Sequence, residues 1–189
     1  LSTSLFAALA LAACGDDAMP DGGVDAAPCT VGKADRYLPF TIGATWSYTV
    51  TPMVGTPENK SSTVEALEDV GDRKAGITAF RVRTGKLDGF TVSWQEDRCT
   101  SITRHREQSL SLANTLVTDQ FYTPDKIRID ETPAHLVLNA SWTVAYTEVE
   151  VDATGASTTR AKDETWTVLA TDASVTVPAG TFTALQLRK

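Results

Sequence analysis

Histidine and cysteine are scarce in this chain: two histidines and three cysteines in 189 residues. His105 and His135 stand far apart, and neither has the spacing to Cys or His that a zinc centre uses. A Gly-x-Ser-x-Gly elbow and a phosphate-cradling glycine loop are both missing. Adjacent carboxylates occur at Glu68/Asp69, Glu96/Asp97, Asp130/Glu131 and Asp163/Glu164. Neighbours on a strand point to opposite faces, so these pairs do not converge by themselves. The sequence therefore names no catalytic residue, no metal ligand and no cofactor, and points away from an enzyme. It also lacks a basic stripe, which argues against nucleic acid as a partner. Arg104-His105-Arg106 is the one short basic run, and it reads as a charged, exposed strand edge that discourages pairing. No apolar run reaches the ~20 residues that a membrane-spanning helix needs.

What is present begins at residue 5. Leu5-Phe6-Ala7-Ala8-Leu9-Ala10-Leu11-Ala12-Ala13 is apolar and small, and ends at Cys14-Gly15-Asp16-Asp17. The run has the length of a secretory h-region with small residues at its exit, although no Lys or Arg precedes Lys33. It resembles a bacterial lipoprotein signal peptide with a Leu11-Ala12-Ala13-Cys14 lipobox. The resemblance implies cleavage after residue 13, lipid such as palmitate on Cys14, and attachment to a membrane of the cell envelope. Gly15, rather than aspartate, follows the cysteine and favours the outer membrane over the inner. Two or three acyl chains anchor stably, at ~0.8 kcal/mol per buried CH₂.

Residues 14–35 read as a lipidated cysteine followed by an acidic tether. Asp16, Asp17, Asp21, Asp25 and Asp35 accompany Pro20, Pro28 and four glycines, with no aromatic residue. Such a composition buries too little apolar surface to offset its ordering entropy. As a flexible coil it would span on the order of 25 Å. With Lys33 it carries −4 of the formal −7, leaving −3 for residues 36–189. The low pI therefore belongs largely to the tether.

Residues 36–189 suit one domain, and its pattern is all-β. Period-two alternation recurs at Trp46/Tyr48/Val50, Phe80/Val82, Phe90/Val92/Trp94, Trp142/Val144/Tyr146, Trp166/Val168 and Val175/Val177, then at Phe182 ahead of Leu185 and Leu187. Turn signals at 55–59, 70–72, 87–89 and 152–155 separate the runs. Asp88-Gly89 suits a primed hairpin turn. The spacing predicts an antiparallel meander without crossover helices. Only Glu107 to Gln120 fits neither strand nor helix periodicity.

Two motifs resemble a group of secreted bacterial lipoproteins of unknown function. Tyr37-Leu38-Pro39-Phe40-Thr41-Ile42-Gly43-Ala44-Thr45-Trp46-Ser47-Tyr48 is similar to their Y-x-P-L-x-x-G-x-x-W-x-Y opening. Val175-Thr176-Val177-Pro178-Ala179-Gly180-Thr181-Phe182 is similar to their closing V-x-V-P-A-G-x-F turn. The resemblance implies a curved antiparallel sheet, a half-barrel or sandwich like that of periplasmic lipoprotein carriers, and no known reaction. Members continue for another strand or two, so an incomplete C-terminal edge is expected here. Both motifs also have sufficient explanations as fold-defining turns.

With Cys14 lipidated and the chain exported, Cys29 and Cys99 form an even pair, and a disulfide between them is expected. Two separate buried thiols are the alternative. Trp46, Tyr48, Trp94, Trp142 and Trp166 either fill the core or line a cavity beneath a curled sheet. Two functions stay open: a binding module for an apolar ligand or lipid, and a structural component that meets another envelope protein.

Overall fold

A computed structural model of the chain describes residues 36–189. The expected signal peptide (1–13), the tether (14–35), Cys14 and Cys29 lie outside the described residues. Nine strands follow one another: β1 (Thr45–Val50), β2 (Glu58–Asp69), β3 (Thr78–Lys86), β4 (Gly89–Asp97), β5 (Ser101–Ser111), β6 (Leu116–Asp130), β7 (Ser141–Asp152), β8 (Ser157–Val177) and β9 (Gly180–Arg188). Each pairs antiparallel with the next, in the order β1 to β9, so the expected meander is formed and the sheet is not closed into a barrel. The only helix among the described residues is one 3-10 turn at Asp72–Lys74.

The alternation seen in the sequence sorts side chains onto two faces. On one, Phe40, Trp46, Val64, Val82, Ile102 and Ile129 form a buried cluster, with Phe80 and Leu185 packed against it. Leu185 belongs to β9, at the opposite end of the sheet from Trp46. The sheet therefore curls until its two ends face each other across this cluster, which marks the inner face. On the outer face Val70, Ala79, Val92 and Trp94 form a second cluster with Ile77 and Leu110. β-Bulges interrupt the β2–β3, β4–β5 and β5–β6 ladders, and such bulges bend and twist a sheet locally.

The strongest irregularity lies in β6. Thr118–Thr123 pairs with β7, but from Lys126 onward β6 is paired with β5 alone. Pro124 sits at the switch and offers no N–H to a ladder. The sheet splits between β6 and β7 at this point. Glu107 to Gln120, whose pattern fits no period, is the β5–β6 hairpin, with Leu112 exposed in its turn.

Three expectations need correcting in detail. Arg104-His105-Arg106 is not an exposed edge: β5 is a central strand, Arg104 and His105 are buried, and Arg106 pairs with Asp119. The β3–β4 turn is centred on Leu87-Asp88, and Gly89 pairs with Lys86 instead of occupying the turn. Gly89 is nonetheless required. Its φ is 149°, and a Cβ there would lie 2.1 Å from the Leu110 carbonyl oxygen. The β8–β9 turn repeats the design, with Pro178-Ala179 at the centre and Gly180 at φ 138° opposite Val177. Finally, the runs at Trp166/Val168 and Val175/Val177 belong to one long strand, β8, whose register with β9 shifts twice between them.

The opening motif crosses the inside of the curl. Arg36 forms buried ion pairs with Glu131 and Asp97. The backbone N–H groups of Tyr37 and Leu38 donate to the Glu131 carboxylate, at 2.9 and 3.2 Å. The Tyr37 hydroxyl donates to the Thr171 carbonyl of β8 at 2.9 Å. Phe40 packs between Trp46 and Phe80, at ring distances of 5.8 and 5.5 Å. Gly43 and Ala44 then bond to the backbone of Val64, which fixes where β1 begins. Cys99 is disulfide-bonded, and its expected partner Cys29 lies outside the described residues. Asp97 links this staple to the clamp, because its Oδ1 accepts from both Arg36 and the Cys99 N–H.

Candidate binding site on the inner face

The strand register makes the inner face two-sided. Phe80 of β3 is paired across to Gln95, Arg104 and Lys126 in turn, and Val82 to Ser93, Glu107 and Gln120. Strands β1–β3 thus supply an apolar wall, Trp46, Val64, Phe80 and Val82. Strands β4–β8 supply a largely polar one, although Ile102 of β5 and Ile129 of β6 join the apolar cluster.

That polar wall is an ion network with aromatic spacers. Arg104 is bonded to Glu107. Lys126 and Lys189 share Glu164, at 3.2 and 2.6 Å. The Tyr146 hydroxyl also donates to Glu164, at 2.6 Å, and Tyr146 meets Tyr122 edge to face at 5.7 Å. Lys126 Nζ lies 5.3 and 5.2 Å from those two ring centroids. Burial raises the Tyr122 and Tyr146 hydroxyls well above the ordinary tyrosine range. Burial also pulls Lys126 down, with Glu164 opposing it. Burial would raise Glu164, but Lys189, Tyr146 and Lys126 outweigh it and hold its carboxyl below the usual range.

Arg128, on the same wall, differs from its neighbours. It has no ion pair among the described residues, and the Nε atoms of Arg128 and Arg104 are both buried without a hydrogen-bond partner. The Arg104 charge, then burial, pulls Arg128 down to about 10, with Glu107, Tyr48 and Tyr122 opposing. Tyr48 belongs to β1 and Arg128 to β6, so this interaction spans the inside of the curl.

Tyr48 also lines an open groove of about 1030 Å³ at the seam between the sheet's ends. The groove runs between the β1–β2 hairpin, the β3–β4 turn and the β8–β9 turn, with Leu87, Val177 and Pro178 among its apolar contacts.

The expected lining residues are dispersed. Trp46 is buried in the inner apolar cluster and Tyr48 lines the seam groove. Trp94 stands on the outer face, where its indole N–H donates to Glu68 and Arg106 covers its ring. Trp142 stacks on His135 at 3.9 Å and lies opposite Trp166, whose ring faces Lys189. Trp94 alone turns to the outer face, because the β3–β4 hairpin pairs Phe80 with Gln95, whereas Trp142 and Trp166 lie in phase with Tyr146 and Glu164, across the sheet from Trp46.

Sequence reading missed one cluster. Glu96, His105 and Asp125 bring three ligand-type atoms within 4.8 Å of one another on the outer face. His105 Nδ1 is 2.8 Å from Asp125 and Nε2 is 3.1 Å from Glu96. Both carboxylates are already engaged: Arg98 bridges them, at 2.7 and 2.8 Å, and Lys74 adds a contact to Asp125 at 3.1 Å. Burial would raise the Asp125 carboxyl, yet His105 and Lys74 hold it far below the usual range. Two fixed cations on the same oxygens make this a charge-matched clamp across β4, β5 and β6, and a poor cradle for a metal ion. Its members are 9 to 29 residues apart, and only the buckle in β6 brings Asp125 back to His105.

The fold and the site together define a class: a single curled antiparallel sheet with an amphipathic inner face and an open seam. The chain matches no family model, no curated protein and no solved structure.

Proposed function

We propose that this chain is a lipid-anchored protein of the bacterial cell envelope, at the outer membrane, whose β domain binds an apolar ligand or lipid without chemical turnover. The lipobox motif supports the anchor. The observation that carries the binding reading is the open seam, where a groove of about 1030 Å³ meets the inner face beside Tyr48. A groove with apolar contacts on one side and converging polar groups further in is a common form of ligand site. Organic extraction of the full chain purified from membranes, followed by mass spectrometry, tests it. A stoichiometric lipid beyond the acyl groups on Cys14 is the expected result. Absence of palmitate label, with Cys14→Ser still fully membrane-bound, would overturn the anchor, and a lipid-free protein that binds no lipid in titration would overturn the ligand.

A second reading has its own observation. Exposed hydroxyl pairs cross the strands at Thr45–Thr63 (3.2 Å), Thr143–Thr165 (2.9 Å) and Thr176–Thr181 (3.0 Å). Such polar faces suit contact with another envelope protein. Crosslinking in intact cells that captures no partner would count against this reading.

A further inference from the structure

We propose that Arg104 and Arg128 grip the head group of a long-chain carboxylate whose alkyl chain runs past Tyr48 into the groove at the seam. This rests on the binding reading above and narrows the ligand to an anionic amphiphile. The argument begins with charge. Two guanidiniums share the inner polar wall with Glu107, which is bonded to Arg104, while the wall's Glu148 and Glu150 face Arg160 instead, at 3.5 and 3.4 Å. Lys126 and Lys189 share Glu164, so that carboxylate has no capacity to spare for an arginine. Arg128 is left without an ion pair of its own, sharing the influence of Glu107 with Arg104, beside a like charge and in a partly desolvated place. An empty protein gains nothing from that arrangement, because unpaired charge in low dielectric is costly.

A bound carboxylate changes the sign of the interaction. Guanidinium edges bind carboxylates in a bidentate fork, and both Nε atoms here lack a protein acceptor. Arg104, Arg128 and Glu107 together carry one excess positive charge, which a bound carboxylate neutralises. Tyr48 and Tyr122 both lie within electrostatic reach of Arg128, and Tyr48 also lines the groove. The apolar wall of Trp46, Val64 and Val82 lies on the same face. Head-group site and chain site are therefore contiguous.

The test is a tryptophan-fluorescence titration of the full, delipidated chain with myristate, tetradecanol and acetate. Myristate should bind about tenfold or more tighter than tetradecanol, the discrimination that one charge-assisted hydrogen bond supplies. Acetate at the same concentrations should leave the signal unchanged, because it lacks the chain. Arg128→Gln should bring myristate and tetradecanol to within about threefold of each other while retaining tetradecanol binding. Arg128 has no ion pair and no hydrogen bond at Nε to lose, so the variant should fold; Arg128→Met is a second variant with the same expectation. Tetradecanol binding as tightly as myristate, or undiminished discrimination in both variants, overturns the head-group assignment and leaves the binding reading intact. Failure of both long-chain compounds to bind overturns the binding reading as well.

Discussion

Replacing Glu131 tests the claim that the opening segment is clamped inside the curl. Its carboxylate accepts from the Arg36 guanidinium and from the N–H groups of Tyr37 and Leu38, and both charged side chains are about 95% buried. Glu131→Ala leaves a buried guanidinium with Asp97 as its remaining partner, and orphans two backbone donors. Breaking a buried pair from one side costs about 3–5 kcal/mol, and the surviving Asp97 contact places the expectation near 3 kcal/mol. Glu131→Gln keeps an acceptor for the two N–H groups and loses only the charge, so about 1–2 kcal/mol is expected. For a domain of this size 3 kcal/mol is roughly a 10 °C fall in Tm. Urea titrations should show the midpoint moving at constant slope, because the clamp does not alter the surface exposed on unfolding. Arg36→Met combined with Glu131→Leu should recover most of the loss, since no charge is left stranded. A Glu131→Ala cost below about 1 kcal/mol, or a double variant no better than the single, would refute the reasoning.

Two more consequences concern acid stability and a close approach. Asp125 titrates lower folded than unfolded, so its stabilisation is present above the ordinary carboxyl range near pH 4 and is lost as pH falls through its depressed folded value. Asp125→Asn should flatten the acid limb of a Tm-against-pH profile below about pH 4 and lower Tm at neutral pH; an unchanged acid limb would refute this. Gly89→Ala places a methyl 2.1 Å from the Leu110 carbonyl oxygen and should cost upwards of about 2 kcal/mol. Gly155→Ala, with φ 87° and no atom within 4 Å, should cost about 1 kcal/mol in the same thermal melts. Equal losses in the two would show that space at Gly89 is not the constraint.

Most of the fold was legible because period-two alternation is a local property. Trp46/Tyr48, Phe80/Val82 and Trp142/Val144 announce strands without knowledge of any partner, and the turn residues between them announce a meander. What alternation cannot give is a shared face across strands. A bulge between Trp94 and Gln95 and three more along β5–β6 each shift register, and a shift of one residue exchanges the two faces. Trp94 needs no bulge: the two-residue β3–β4 turn pairs Phe80 with Gln95, which sets Trp94 on the face opposite Phe80 and Trp46. The same limit hid the Glu96–His105–Asp125 clamp, whose members meet only because β6 leaves β7 at Pro124.

The misreading of Arg104-His105-Arg106 shows how the site itself escaped notice. Charge on a strand is usually an edge device, and the strand carrying this run is the fifth of nine, buried from both sides. On this strand the bulge between Arg104 and Arg106 breaks the alternation, so Arg104 faces inward while His105 and Arg106 both face outward, and each face must answer its own charges. His105 and Arg106 find carboxylates on the outside: Asp125 and Glu96 for the first, Asp119 for the second. Arg104 turns inward, where Glu107 answers it and nothing answers Arg128. A strand pair whose outer charges are matched while Arg128 of β6 has no ion pair on the inside is not the product of solubility or edge protection, since neither acts on the inside of a curl. The carboxylate proposed above would answer that cation from the seam, and its alkyl chain would gain a burial that a small anion could not.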